Sequence, residues 1–405
     1  MKKLLILGGS KYIIPLIKKA HELGVFVITC DYLPHNIAHK YSDLYVNASV
    51  VDKNAILKIA KKYNVDGISS FACDPGVTTM AYVSNKLGIP SVGPYESVKI
   101  LQNKNLFRKF LKDNNFNVPK AKSFTNYKAI ATGISKFSFP VIIKPVDSAG
   151  SKGVMKLENE NNLKDAFESA MRNSISKRVI VEEFIEPFGN PSDSDCYSVN
   201  GELIYCSFSN QYFDKMSENA FTPAGFSWPT NISNKNQSIF KYDLQRLLSL
   251  LNMSTSIYNV ELRVGKDKRC YIMEVSPRGG GNRLAEMLNI FEGVDLIETH
   301  IRNTVGLPFD KKLLKAKQQT PLMEYIIHST TSGRFEQVAI SEEIKQDIIE
   351  MDLWAKPGDL VGGFKGANES IGTIVLKSKN LKYEDIIDKI KVIVKWKKKL
   401  VDILN

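Results

Sequence analysis

Two glutamates, Glu261 and Glu274, are the first residues in this 405-residue chain whose spacing implies chemistry. Each sits in an alternating apolar run, residues 259–264 and 271–276, and Gly265-Lys266-Asp267-Lys268-Arg269 between them reads as a turn. A hairpin centred on Asp267 and Lys268 sets the two carboxylates directly opposite one another on one face. Like charges so placed repel, and they persist comfortably when a divalent cation bridges them. Oxygen-only ligands suit Mg²⁺ or Mn²⁺ held jointly with nucleotide phosphates. A shifted register would separate the acids, and one sequence does not fix register.

The neighbouring segments add groups that bind anions. Ser276-Pro277-Arg278-Gly279-Gly280-Gly281-Asn282-Arg283 joins two guanidinium groups to a run of glycines. Guanidinium pairs bidentately with phosphate or carboxylate, so Arg278 and Arg283 are candidates to hold a phosphoryl group in flight or a substrate carboxylate. A structural salt bridge is the alternative for Arg283. Upstream, Asp147-Ser148-Ala149-Gly150-Ser151-Lys152-Gly153-Val154 follows a strand that ends in Lys144. Its small residues let backbone amides approach phosphate oxygens, while Lys144 and Lys152 supply charge. It is not a Walker A loop, since a strand follows it, and a plain turn is the alternative.

Val179-Ile180-Val181-Glu182-Glu183-Phe184-Ile185 is an apolar strand ending in two acids, whose side chains point to opposite sides. Backbone groups and one carboxylate there could bind a purine edge and ribose hydroxyls, or the acids are a solvated strand end. Asp74, in Phe71-Ala72-Cys73-Asp74-Pro75-Gly76 after a sheet strand, is a candidate substrate contact, with a helix cap as the alternative.

The elements that must position these residues follow from periodicity. Residues 4–7, 25–30 and 67–71 are short apolar runs, and residues 13–23 and 53–63 between them are helical in pattern. That rhythm predicts a parallel sheet with helices on its faces. The fingerprint G-x-G-x-x-G is missing after Gly8-Gly9, which argues against a nicotinamide cofactor. Residues 139–186 read strand, glycine turn, strand, helix, strand, as in a compact α+β lid. Strand-rich residues 195–209 and 257–275, separated by a helix over 239–251, predict an antiparallel platform. The expected fold is therefore α/β and α+β: an α/β domain over residues 1–95, a second domain over 96–308 with a lid subdomain over about 122–182, and a small C-terminal α+β domain over 309–405.

Composition narrows the function classes. Hydrophobic content of 43% over this length supports two or three cores. Five cysteines lacking any C-x-x-C pair fit a reducing compartment, so a cytoplasmic location is expected. No apolar stretch approaches the ~20 residues of a membrane span, so no membrane insertion is expected. The formal charge of +12 is spread along the chain, and no nucleic-acid partner is expected. Lys389, Lys391, Lys395, Lys397, Lys398 and Lys399, interleaved with apolar residues and Trp396, read as an amphipathic terminal helix with a solvated face. The histidines form no metal spacing, and nucleophile-elbow, kinase and P-loop signatures are absent.

In their order, these elements resemble the ATP-grasp superfamily: a Rossmann-like pre-grasp domain, a strand bearing Lys, a mobile glycine-rich lid, a hinge strand and two metal-binding acids. The resemblance implies an ADP-forming ligase that activates a carboxylate as an acyl phosphate and joins it to an amine, with ATP and Mg²⁺ or Mn²⁺ as cofactors. It makes Lys104 and Lys144 nucleotide-contacting lysines, and the loop carrying Ser148, Gly150, Ser151, Lys152, Gly153 and Val154 a lid over the triphosphate. Glu182, Glu183, Phe184 and Ile185 become the adenine hinge, and Asp195 faces the ribose. Glu261 and Glu274 are the metal acids, with Ser276 standing where asparagine is usual, and Arg278 matches the arginine of the family's E-x-N-P-R stretch. The resemblance covers residues 1–310, and the C-terminal part is similar to the cap of the biotin-carboxylase and carbamoyl-phosphate-synthase branch, of the kind found among bacterial surface-polysaccharide genes. Small-molecule carboxylate and amine partners follow from it, and a homodimer is the common soluble default. Bicarbonate activation is a second enzymatic reading, and a nucleotide-responsive binding protein is a reading of another class.

Overall fold

The computed structural model describes residues 1–148, 150–317, 319–377 and 382–395. These divide into two compact units, the larger comprising residues 1–149, 153–208 and 232–319.

In the larger unit, β1 (Lys3–Leu7), α1 (Ile14–Glu22), β2 (Phe26–Asp31), β3 (Leu44–Asn47), α2 (Lys53–Tyr63) and β4 (Gly67–Ser69) build a parallel sheet of order β3-β2-β1-β4. Leu4 to Leu7 are fully buried, as expected of a parallel strand covered on both faces. Asp52 caps α2 by accepting from the N–H groups of Asn54 and Ala55. β3 is a strand the hydrophobic pattern does not announce, because its four residues are half-buried or exposed. Three helices follow: α3 (Asp74–Leu87), α4 (Tyr95–Gln102) and α5 (Lys104–Asp113).

Next, β5 (Ala121–Phe124), α6 (Tyr127–Gly133), β6 (Val141–Pro145), β7 (Met155–Leu157), α7 (Leu163–Asn173) and β8 (Val179–Glu183) form an antiparallel sheet of order β5-β8-β6-β7. Its own core includes Phe124, Ile130, Val141, Ile143, Leu163, Phe167 and Val181. β9 (Ser192–Val199) and β10 (Glu202–Cys206) then begin a second antiparallel sheet.

The chain leaves this unit for β11 (Asn210–Phe213) and β12 (Pro223–Trp228), and returns for α8 (Asn234–Leu250), β13 (Ser256–Val264), β14 (Cys270–Ser276), α9 (Leu284–Glu292) and α10 (Leu296–Thr304). β13 and β14 complete the platform, of order β10-β9-β13-β14. Backbone joins the first sheet to α10 closely, since a Cβ on Gly67 of β4 would stand 2.0 Å from the Thr304 carbonyl oxygen.

In the smaller unit, β11 pairs with β12 and β12 with β15 (Leu322–Ile327), which continues to β19 (Gly372–Lys377) and β17 (Ile348–Leu353), in the order β11-β12-β15-β19-β17. The remaining elements are β16 (Gly333–Ile340), α11 (Glu342–Lys345), β18 (Leu360–Val361), α12 (Tyr383–Ile387) and β20 (Ile390–Lys395). β20 corrects the expected terminal helix: the β-branched run Ile390, Val392, Ile393 and Val394 pairs antiparallel with β16. Trp396 and Lys397 to Lys399 lie outside the described residues.

Because the Thr304 carbonyl is backbone, it cannot move aside. Gly67→Ala is expected to destabilise the protein by about 1–3 kcal/mol, as overpacking does, read as a lowered urea midpoint. An unchanged midpoint would contradict the close approach.

Candidate active site

β9, β13 and β14 present two polar rows on one face. Glu261 is the register partner of both Asp193 and Glu274, and Asn259 of both Asp195 and Ser276. The opposition of Glu261 and Glu274 arises in an unexpected way. Nearer the turn, Leu262 faces Ile272 and Arg263 faces Tyr271, a register centred on Asp267, and a bulge beyond Leu262 shifts it by one residue. The bulge is what restores the pairing of the two acids.

Burial and the charge of Glu274 raise the Glu261 carboxyl above its usual range. Glu274 goes the other way: burial opposes its charge, but Lys104 and Lys144 outweigh it. Lys104 opens α5, where Asn103 caps the helix, and its Nζ lies 2.7 Å from Glu274 Oε1 and 3.0 Å from the Ser148 carbonyl oxygen. Among the described residues no three or more carboxylate, imidazole or thiolate side chains converge on one metal position, so a cation here would need ligands beyond the protein pair.

The second cluster surrounds Glu182. Lys144 Nζ on β6 lies 2.8 Å from its Oε2, and Arg108 on α5 brings Nε to 2.9 Å from its Oε1. Burial disfavours the carboxylate, yet Arg108 and Lys144 hold its pKa down at about 2. Burial also lowers Lys144, more than Glu182 raises it. Glu182 is thus a buried counter-ion to both cations. Glu183 points to the other side, accepting from the Ser138 N–H at 2.9 Å. Phe184 donates its N–H to the Pro140 carbonyl at 2.9 Å, and the Ile185 carbonyl accepts from Arg263 Nη1 at 2.9 Å.

The third cluster fixes the glycine turn after β14. Arg278 grips Asp74 through Nε at 2.9 Å and Nη2 at 2.7 Å, and its Nη1 donates to the Gly279 carbonyl. Ser276 donates to Asp74 at 2.9 Å and accepts from Gln102 at 2.7 Å, so its hydroxyl is engaged in this cluster. Asp74 begins α3 and, instead of facing a substrate freely, holds Arg278. Burial opposes its charge, and Arg278 keeps its pKa below the usual value. A Cβ on Gly279 would strike the Phe71 ring at 2.1 Å, which explains glycine there.

Asp195 is fully buried, and both of its carboxylate oxygens accept from the Gly280 N–H, at 2.9 and 3.1 Å. It anchors the turn, and it stands inside a strand that begins at Ser192 rather than opening it. Burial pushes its pKa up to about 7. Arg283, in a left-handed conformation at the start of α9, pairs with Glu286 at 3.1 Å. Within the lid loop, Gly150, Ser151 and Lys152 belong to the smaller unit, where Ser151 donates to the Phe221 carbonyl at 2.8 Å. Lys152 is exposed, and Gly153 and Val154 are half-buried in the larger unit.

Sequence reasoning missed Arg108, Asp193 and Asn259. Arg108 lies one helical turn after Lys104, on the same face of α5, a spacing that could have found it. Asp193 and Asn259 each stand two residues from a recognised position, the same-face spacing of a strand.

Glu182→Gln leaves two cations beside an amide, at an expected cost of about 3–5 kcal/mol near neutral pH. Since the Glu182 pKa falls from 4.5 to about 2 on folding, its contribution is complete above about pH 4.5 and is lost as pH drops toward 2. The stability gap between the two proteins in urea titrations should therefore narrow on acidification through that window, and a constant gap would contradict the ion-pair reading.

Residues 137–286 match the ATP-grasp domain. The chain is 22% identical over 383 residues to the formate-dependent phosphoribosylglycinamide formyltransferase of Methanocaldococcus jannaschii, covering 94% of both. Its fold is similar to that of an L-amino acid ligase from Bacillus licheniformis, with a TM-score of 0.81, 19% identity and coverage of 98% of this chain and 99% of that one. It is also similar to a phosphoribosylglycinamide synthetase from Anaerococcus prevotii, with a TM-score of 0.73, 22% identity and coverage of 97% and 100%. With the parallel first sheet, the lid sheet and the acid-bearing platform in the expected order, the chain carries an ATP-grasp domain over residues 137–286.

Proposed function

We propose that this protein is an ATP-dependent, ADP-forming ligase that activates a small-molecule carboxylate as an acyl phosphate and joins it to an amine. The observation that carries the reading is the opposition of Glu261 and Glu274 on one sheet face, with Lys104 2.7 Å from Glu274. Glu261 and Glu274 would hold Mg²⁺ or Mn²⁺ together with nucleotide phosphates. The fit is supported by the raised pKa of Glu261, caused by burial and by Glu274, because a neighbouring cation would stabilise both carboxylates. When bound, the cation would neutralise charge on the phosphate oxygens.

The chain's own residues supply the rest. Lys104 and Lys144 orient phosphate oxygens as fixed positive charges, and Arg108 with Glu182 holds Lys144 in place. Ser148, Gly153 and Val154, with the loop tip Gly150 to Lys152, are the proposed phosphate cover, and backbone at Phe184 and Ile185 the proposed adenine rim. Arg278 has five N–H donors, of which three meet Asp74 and Gly279, and the others are suited to a phosphoryl or carboxylate oxygen. Arg283 is the weaker candidate for that role because Glu286 holds it. A substrate carboxylate oxygen attacks the γ-phosphorus as the bond to ADP breaks. The amine nitrogen then attacks the acyl carbon, loses its proton, and phosphate departs. No enzyme nucleophile takes part.

Amino acids are the first substrates to test, since one protein of the same fold is an L-amino acid ligase. The three-domain division with boundaries near residues 95 and 308, a cytoplasmic location and a homodimer complete the proposal. Among the described residues no helix is long and apolar enough to cross a membrane.

Phosphate and ADP release from Mg-ATP, measured across amino acids, sugar acids and bicarbonate, tests the assignment. Release should require both a carboxylate and an amine, and Glu274→Gln should lower it by about 100-fold or more, since a lost cation ligand removes several kcal/mol of charge stabilisation. Release with bicarbonate alone, or nucleotide binding without turnover, would overturn the ligase reading.

A further inference from the structure

The fold brings two thiols that are ten residues apart into direct contact. Asn200 and Gly201, both with positive φ, form the two-residue turn between β9 and β10, as Asn-Gly does in tight hairpins. Glu202 faces Val199 and Leu203 faces Ser198, a register that would carry Cys206 to Asp195. A bulge between Leu203 and Tyr205 shifts it by one residue, so Cys206 faces Cys196 instead. Their Sγ atoms are 3.2 Å apart, and both thiols are free. Residues directly opposed in an antiparallel pair have Cα atoms about 4.5–5.5 Å apart, within the range of about 4.4–6.8 Å that a disulfide spans.

The two thiols differ in access. Cys196 is 1% exposed, whereas Cys206 is half-buried and lines a pocket of about 150 Å³ with Leu203, Ile204, Lys241 and Gln245. Gln245 of α8 ties the pocket to the hairpin by accepting from the Leu203 N–H and donating to the Gly201 carbonyl. Burial pushes Cys30 up to about 12 and Cys73 and Cys270 up to about 11, and the hydrogen bond with Cys206 together with burial pushes Cys196 up as well.

We propose that Cys196 and Cys206 are a reversible redox pair, closed to an intramolecular disulfide by low-molecular-weight disulfides such as oxidised glutathione. The Cys206 thiolate attacks one sulfur of the oxidant, forming a mixed disulfide and releasing the first small thiol. Cys196 loses its proton and attacks Cys206 Sγ, which releases the second. Two electrons and two protons pass from the protein thiols to the oxidant. The bond ties the outer strand of the platform to the strand whose Asp195 holds the glycine turn beside Arg278.

Peptide mapping of the intact protein after treatment with oxidised glutathione tests this. A crosslinked peptide joining Cys196 to Cys206 is expected, reversed by dithiothreitol. In Cys196→Ser the reaction should halt at a glutathione adduct on Cys206, and in Cys206→Ser the thiol of Cys196 should stay unmodified. A wild-type protein that stops at the adduct, stays fully reduced or crosslinks other cysteines would overturn the proposal. Mapping of the wild type decides this even if a variant fails to fold.

Discussion

Two carboxylates facing one another across a β-hairpin are a standing electrostatic cost, and the larger unit is arranged around it. Glu261 and Glu274 share a face with Asp193 and Asp195, so four acidic side chains crowd two rows of one small sheet. Burial raises Glu261, Asp193 and Asp195 above their usual pKa values. Only Glu274 is lowered among the four, and it is the one that Lys104 touches. A stable fold tolerates such a row when function requires it, and a divalent cation with bound polyphosphate is the partner that fits an oxygen-only pair flanked by lysines.

Around that row, two ion-paired clusters fix cations. Arg108, Glu182 and Lys144 are held inside the protein, where Coulomb attraction must offset desolvation. Such clusters contribute little net stability but define geometry, because neither partner can move without exposing the other. Asp74 does the same for Arg278 with a bidentate grip, and it links the first sheet's α3 to the turn after β14. The glycines of that turn serve contact with Phe71 and with the Asp195 carboxylate more than flexibility.

Much of this was legible in the sequence. The alternation of apolar runs announced the parallel sheet, and the position of one turn announced the facing glutamates. What local pattern does not carry is register. Bulges beside Glu261 and near Leu203 each shift a hairpin by one residue, and they decide that Glu261 meets Glu274 and that Cys206 meets Cys196. A motif position says which residue is present, not which way its side chain is held: Asp195 accepts from the Gly280 N–H and Ser276 donates to Asp74. The terminal lysines suggested a helix, but β-branched neighbours and the free edge of β16 favoured a strand. Pairing of residues 225–228 with a strand more than ninety positions later is a long-range contact that no window along the chain displays.

Glu261 and Glu274 are proposed to act together as a cation clamp for a bound nucleotide. Titration of Mn²⁺ into the protein with ADP present, followed by electron paramagnetic resonance, addresses it directly. Nucleotide-dependent Mn²⁺ binding is expected in the wild type and a loss of about ten-fold or more in Glu261→Gln, with neutral Gln withdrawing one charged ligand from the pair. Equal Mn²⁺ affinity in the two proteins, or ADP binding unchanged by removal of the metal, would contradict it.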